Sequence, residues 1–164
     1  MDNQKTVLIV DNEIDVINIV ETILSNEGYT VLSAQNKDTA INIATKEKPD
    51  LIISDVTMST QYEGFELAKE LRTINTFKNT PIIIQTSHSI FQSELNNLIQ
   101  YAQDYRANIQ NSNTGLILVE NRELGIGGID FKNENGESTW LSVNAFIKKP
   151  VEAKNLLQNI KQFI

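Results

Sequence analysis

A series of short apolar runs, each ending in polar residues and most followed by a helical pattern, constrains this chain most. Residues 6–10 read TVLIV, 51–54 read LIIS and 81–85 read PIIIQ. They are too short for helices and rich in β-branched residues, so they predict buried strands. Tyr29–Ala34 and Ala145–Ile147 are two further strand candidates. Between them, Ile14, Ile17, Val20, Ile23 and Leu24 recur at helical spacing until Gly28. Ala40, Ile41 and Ala44 mark a second helix over Asp38–Lys48, stopped by Pro49. Phe65, Leu67, Ala68, Leu71 and Ile74 mark a third, and Leu156, Leu157, Ile160 and Phe163 a last one. This alternation predicts an α/β protein: a three-layer, doubly wound, five-stranded parallel sheet with helices on both faces. Ligands of such sheets bind at the carboxyl ends of the strands. The residues leaving those ends are Asp11 and Asn12, Asp55, Thr86, and Lys148 and Lys149.

One interval breaks the rhythm. From Thr86 to Lys149 the chain is roughly 40 residues longer than a helix and two short loops require. Phe91, Leu95, Leu98, Ala102, Tyr105 and Ile109 alternate at spacings of four and three, which predicts a long fourth helix with its first half packed on the sheet. Its second half faces either an inserted ribbon or another subunit. Leu116–Val119 reads as a strand, and Ile129–Lys132 and Ser138–Val143 as a hairpin turning at Asn133–Gly136. The expectation is one domain over 1–164 with a small β-ribbon insertion at about 105–143. Trp140, Tyr101 and Tyr105 are candidates for an interface.

Composition narrows the chemistry. Among 164 residues there are 14 Lys and Arg against 21 Asp and Glu, and no Cys. A net charge of −7 argues against a nucleic-acid groove. Residues 94–143 hold three basic residues (Arg106, Arg122, Lys132) against seven acidic ones, which extends that argument to the insertion. Without Cys there is no disulfide, thiolate metal site or cysteine nucleophile. No stretch approaches the 18 or more apolar residues of a membrane span, and the N-terminus has no signal-peptide pattern. The expected location is cytoplasmic.

Five segments, VLIVDNE at 7–13, PDLIISDVTMS at 49–59, EGFE at 63–66, PIIIQTS at 81–87 and FIKKPVE at 146–152, resemble the receiver domain of two-component response regulators, the CheY-like family. The resemblance implies the flavodoxin-like strand order 2-1-3-4-5. It implies that Asp55 accepts a phosphoryl group from a histidine kinase or phosphotransfer protein, with Lys149 binding the phosphate and Thr86 as the switch hydroxyl. Phe146 takes the aromatic switch position. Asp11, Asn12, Asp55 and the backbone carbonyl of Thr57 would hold Mg²⁺, whose preference is for hard oxygen ligands. Such a domain is no enzyme beyond its own phosphorylation and dephosphorylation. It signals to a downstream protein or a second copy, here through the fourth helix and the insertion.

Departures from the family pattern accompany the matches. Asn12 stands where a carboxylate is usual, so metal binding should weaken rather than vanish. Ser59 replaces the usual proline, and Gly64 lies one residue further from Asp55. These favour the alternative of a pseudo-receiver, a protein-interaction module working without phosphorylation. His88, two residues past Thr86, reads first as a solvated loop histidine; the alternative is that it faces the phosphoryl group and affects hydrolysis or partner choice. Two other classes are excluded: VDNEIDV has no glycine for a nucleotide-binding turn, and Thr57 stands where a haloacid-dehalogenase-type phosphatase has its second Asp. The last helix runs to Ile164, leaving either a regulator that acts by protein contacts or a piece of a longer protein.

Overall fold

A computed structural model describes residues 3–164, so the first two residues of the expected 1–164 unit lie outside it. Five strands, β1 (Thr6–Val10), β2 (Thr30–Ala34), β3 (Leu51–Asp55), β4 (Ile82–Thr86) and β9 (Ala145–Lys148), form one sheet in the order β2-β1-β3-β4-β9. Every pairing in it is parallel. This is the expected order, with β9 in the fifth place.

Side-chain alternation divides the core. Val7, Ile9, Leu51, Ile53, Ile83 and Ile147 point to one face, where α1 (Ile14–Asn26) and α5 (Ala153–Phe163) cover them. Leu8, Val10, Ile52, Ile82 and Ile84 point to the other, under α2 (Lys37–Glu47) and α3 (Glu63–Thr73). Covered on both faces, these strands read as continuous apolar runs rather than alternating ones.

The long interval differs from its expectation. Its strands are β5 (Ile90–Gln92), β6 (Leu116–Asn121), β7 (Ile126–Lys132) and β8 (Ser138–Val143), and they make a second, four-stranded sheet in chain order. The β6–β7 and β7–β8 pairings are antiparallel and β5–β6 is parallel. One face of this sheet, with Leu118, Ile129, Leu141 and Val143, joins the core on the α3 side of the parallel sheet. The other face, with Ile117 and Val119, carries α4 (Leu98–Ala107). A sheet, not the fourth helix, therefore covers the β4–β9 end of that face.

The predicted long helix is thereby corrected. Phe91, at the head of the seam, lies in β5, and Leu95 and Ile109 are 64% and 86% exposed. Ser93 donates its backbone N–H to the Glu120 carbonyl, and its hydroxyl accepts from the N–H of Leu95, so the chain is held in a turn. Helix starts only where the Asn97 side chain accepts from the N–H of Gln100. It stops at Asn108, whose backbone is extended. Of the seam, Phe91, Leu98, Ala102 and Tyr105 pack, and they pack about the second sheet. Phe91 meets Tyr105 with ring centroids 4.9 Å apart. Tyr101 and Trp140 belong to this same cluster.

The hairpin forms as expected, turning at Asn133–Gly136. The glycines of β7 explain themselves by space. A Cβ on Gly127 would stand 3.1 Å from the Phe146 ring on the inner face, and one on Gly128 would stand 2.0 Å from the Trp140 ring on the outer face. Two adjacent glycines thus let one aromatic ring seat on each side of the strand. Arg106 fastens α4 to this sheet through Asp130 Oδ1 at 2.7 Å and the carbonyl of Thr114.

Candidate functional site

Register brings the polar strand ends together. Val10 pairs with Ser54, Asp55 with Gln85, and Gln85 with Ile147. By alternation Asp11, Asp55, Gln85 and Lys149 then fall on one face at the carboxyl edge, while Thr86 and Phe146 fall on the other. The four on the first face form one hydrogen-bonded group. Lys149 Nζ donates to Asp11 Oδ2 at 2.8 Å and to Asp55 Oδ2 at 2.7 Å, and lies 3.8 Å from Glu13 Oε1. Asp11 Oδ1 accepts from the N–H of Glu13, and Asp55 Oδ1 from the N–H of Thr57. Asp11 is completely buried and Asp55 nearly so. Burial alone would depress the Lys149 ammonium, but its hydrogen bonds to Asp11 and Asp55, and the charges of those two carboxylates, outweigh it and raise the pKa.

Around this group opens a cleft of about 320 Å³, lined by Asn12, Glu13, Asp55, Thr57, His88 and Lys149 among others. The α3 side of the cleft depends on Gly64. A Cβ there would lie 1.7 Å from the backbone oxygen of Asp55, so the first turn of α3 approaches the strand end as only glycine permits.

The structure brings Asp11, Asp55 and Lys149 into contact, and sets Asn12 and Thr57 on the cleft wall. Thr86 is fully buried, its hydroxyl accepting from the N–H of His88 at 3.0 Å. Phe146 is buried beneath the second sheet. His88 is exposed as expected, yet it lies on the cleft with Nε2 3.1 Å from the Thr57 hydroxyl. Two residues were not singled out from sequence. Glu13 is one: a carboxylate oxygen each from Asp11, Glu13 and Asp55 lie within 4.8 Å of one another. Its signal was a second acid two positions after Asp11. Gln85 is the other, a polar residue inside an apolar run. It is completely buried, donates Nε2 to Asp11 Oδ2 at 3.1 Å, and leaves its own Oε1 without a hydrogen-bond partner among the described residues.

The donor chemistry suits a hard divalent cation. Three carboxylates converge with one ammonium among them, every candidate ligand is oxygen, and the orphaned Gln85 oxygen is a buried acceptor beside Asp11.

Comparison with known proteins agrees with this geometry. The family model for the response regulator receiver domain matches residues 7–106. A probable transcriptional regulator, ycf27, of Cyanophora paradoxa is 35% identical over 103 residues, which is 63% of this chain and 41% of the relative. Sporulation initiation phosphotransferase F of Bacillus subtilis is 33% identical over 88 residues, covering 54% of this chain and 68% of that protein. The chain thus spans about two fifths of the transcriptional-regulator relative. Among solved structures, the chemotaxis response regulator CheY4 of Vibrio cholerae superposes with a TM-score of 0.64 at 24% identity, covering 99% of this chain and 100% of that one. At that identity the likeness speaks to the fold. With strand order, cleft and family model in agreement, the chain belongs to the response regulator receiver domains of two-component signalling.

Proposed function

We propose that residues 1–164 make one receiver domain that accepts a phosphoryl group on Asp55 from a phosphohistidine of a kinase or phosphotransfer protein. The observation that carries this reading is the Lys149 ammonium held between the Asp11 and Asp55 carboxylates at 2.8 and 2.7 Å. In the transfer an Asp55 oxygen bonds to phosphorus while the donor's P–N bond breaks, and the leaving imidazole takes its proton from solvent. The obstacle is repulsion between an anionic nucleophile and an anionic phosphoryl group. Lys149 offsets part of it and is placed to follow the transferred oxygens. Asp11, Glu13 and Asp55, with Asn12 and the Thr57 carbonyl at the cleft wall, would hold Mg²⁺, which neutralises the remaining charge when bound. Thr86 and Phe146 are the proposed switch pair.

No helix among the described residues is long and apolar enough to cross a membrane, which is compatible with a cytoplasmic regulator. Partner contacts, to a downstream protein or a second copy, are proposed on the insertion and the outer side of α4, where Leu95, Ile99 and Leu124 are exposed. Intact mass after incubation with acetyl phosphate and Mg²⁺ tests the reading. A single phosphoryl adduct on the wild type, absent from Asp55→Ala, is expected. A folded wild type that takes no adduct would leave the pseudo-receiver.

A further inference from the structure

Phe146 is 2% exposed and belongs to the same core cluster as Leu118, Ile129 and Leu141 of the second sheet. Gly127 of β7 lies directly against its ring. Its backbone N–H donates to Glu120 Oε2 at 3.3 Å. Glu120, on β6, is itself only 2% exposed, a rare place for a carboxylate unless it is paired. Its other oxygen accepts from Gln92 Nε2 of β5 at 2.8 Å and from Arg122 Nε at 2.7 Å. One buried side chain therefore ties β5, β6 and β9 together, at the residue beneath which the switch aromatic lies.

We infer that Glu120 and Gly127 couple the state of the Asp55 site to the second sheet; this rests on the phosphoacceptor reading above. Thr86 and Phe146 share a face of the parallel sheet one register step apart, since Phe146 pairs with Ile84. A phosphoryl group that draws the Thr86 hydroxyl out of its bond to the N–H of His88 changes the space beside the ring. A ring with an open face would answer by turning toward solvent. This ring is capped by Gly127, and close-packed interiors pass displacement on rather than absorb it. Any shift of Phe146 therefore moves β9 against β7, and the Glu120 bond carries it to β6 and β5. Coupling of this kind is reciprocal, so loosening Glu120 from Phe146 must alter affinity at Asp55.

The test is hydrogen exchange on the full chain with Mg²⁺, with and without beryllium fluoride as the phosphoryl mimic, its binding followed by fluorine NMR. In the wild type, exchange across 90–92, 116–121 and 126–132 is expected to change on binding. In Glu120→Gln that response should fall by half or more, and the affinity for beryllium fluoride should shift by about fivefold. If the wild type binds the mimic and its second sheet does not respond, or Glu120→Gln responds and binds as the wild type does, the coupling is refuted and the receiver reading stands. If the wild type neither binds the mimic nor takes a phosphoryl group from acetyl phosphate, both fall. Should Glu120→Gln loosen the second sheet before any mimic is added, Gly127→Ala decides. It presses on the ring and leaves the Glu120 carboxylate chemically unchanged, and an affinity equal to wild type would overturn the coupling.

Discussion

The two sheets handle buried charge in opposite ways. In the second sheet each buried acid has its own cation: Asp130 meets Arg106 at 2.7 Å, and Glu120 meets Arg122 at 2.7 Å. At the edge of the parallel sheet, Asp11, Glu13 and Asp55 share the one ammonium of Lys149. The first arrangement closes its electrostatics and serves to hold α4 and the strands in place. The second leaves negative charge in excess beside a cleft. Uncompensated charge raises the cost of burial, and a bound cation would offset it.

Breaking one acid in each region gives the largest contrast. Asp130→Ala leaves Arg106 buried without its partner and should cost about 3–5 kcal/mol, read as a lowered denaturation midpoint. Glu13→Gln removes charge from the crowded region and should move stability by no more than about 0.5 kcal/mol. Its Mg²⁺ affinity, measured by calorimetry, should nevertheless fall about tenfold. Equal stability losses in the two variants would erase the distinction between the regions.

Adding charge sharpens the same comparison. Asn12→Asp should tighten Mg²⁺ binding by roughly 1 kcal/mol, about fivefold, with little change in the melting temperature of the metal-loaded protein. A variant that binds Mg²⁺ no better would mean that Glu13 already supplies the charge that position 12 lacks.

The smallest effect concerns pH. The folded-state pKa of Lys149 is raised above the ordinary lysine value of about 10.4. Its contribution to stability is therefore whole below about pH 10.4 and is lost as the pH climbs through the raised value. Between pH 7 and 9, Lys149→Met should differ from the wild type by a constant amount. A gap in melting temperature that narrows across that window would show that the ammonium is not held as described.

Much of the site was legible because alternation in a parallel sheet is local. Asp11, Asp55, Thr86 and Lys149 each follow an apolar run, and such runs end at one rim. Glu13 and Gln85 were harder to read. An acid on the loop after a strand is usually solvated, and a lone Gln in PIIIQT carries no sign of the carboxylate it will meet across the sheet. The fourth helix was misread for a related reason. The spacing Phe91–Leu95–Leu98 fits a helical seam and equally fits a strand residue, an exposed turn residue and a helix start. Ser93 and Asn97 break that seam through bonds that a periodicity count does not contain.

By itself, then, the sequence determined the parallel sheet, its helices and the convergence of acids, hydroxyl and lysine at its carboxyl edge, because strand period and chain order suffice for these. Only the tertiary structure decided that a second sheet takes the place of a helix over β4 and β9, that Phe146 lies sealed beneath it, and that Glu120 reaches its backbone. Those outcomes depend on which faces bury against which, and on pairings between segments far apart in the chain.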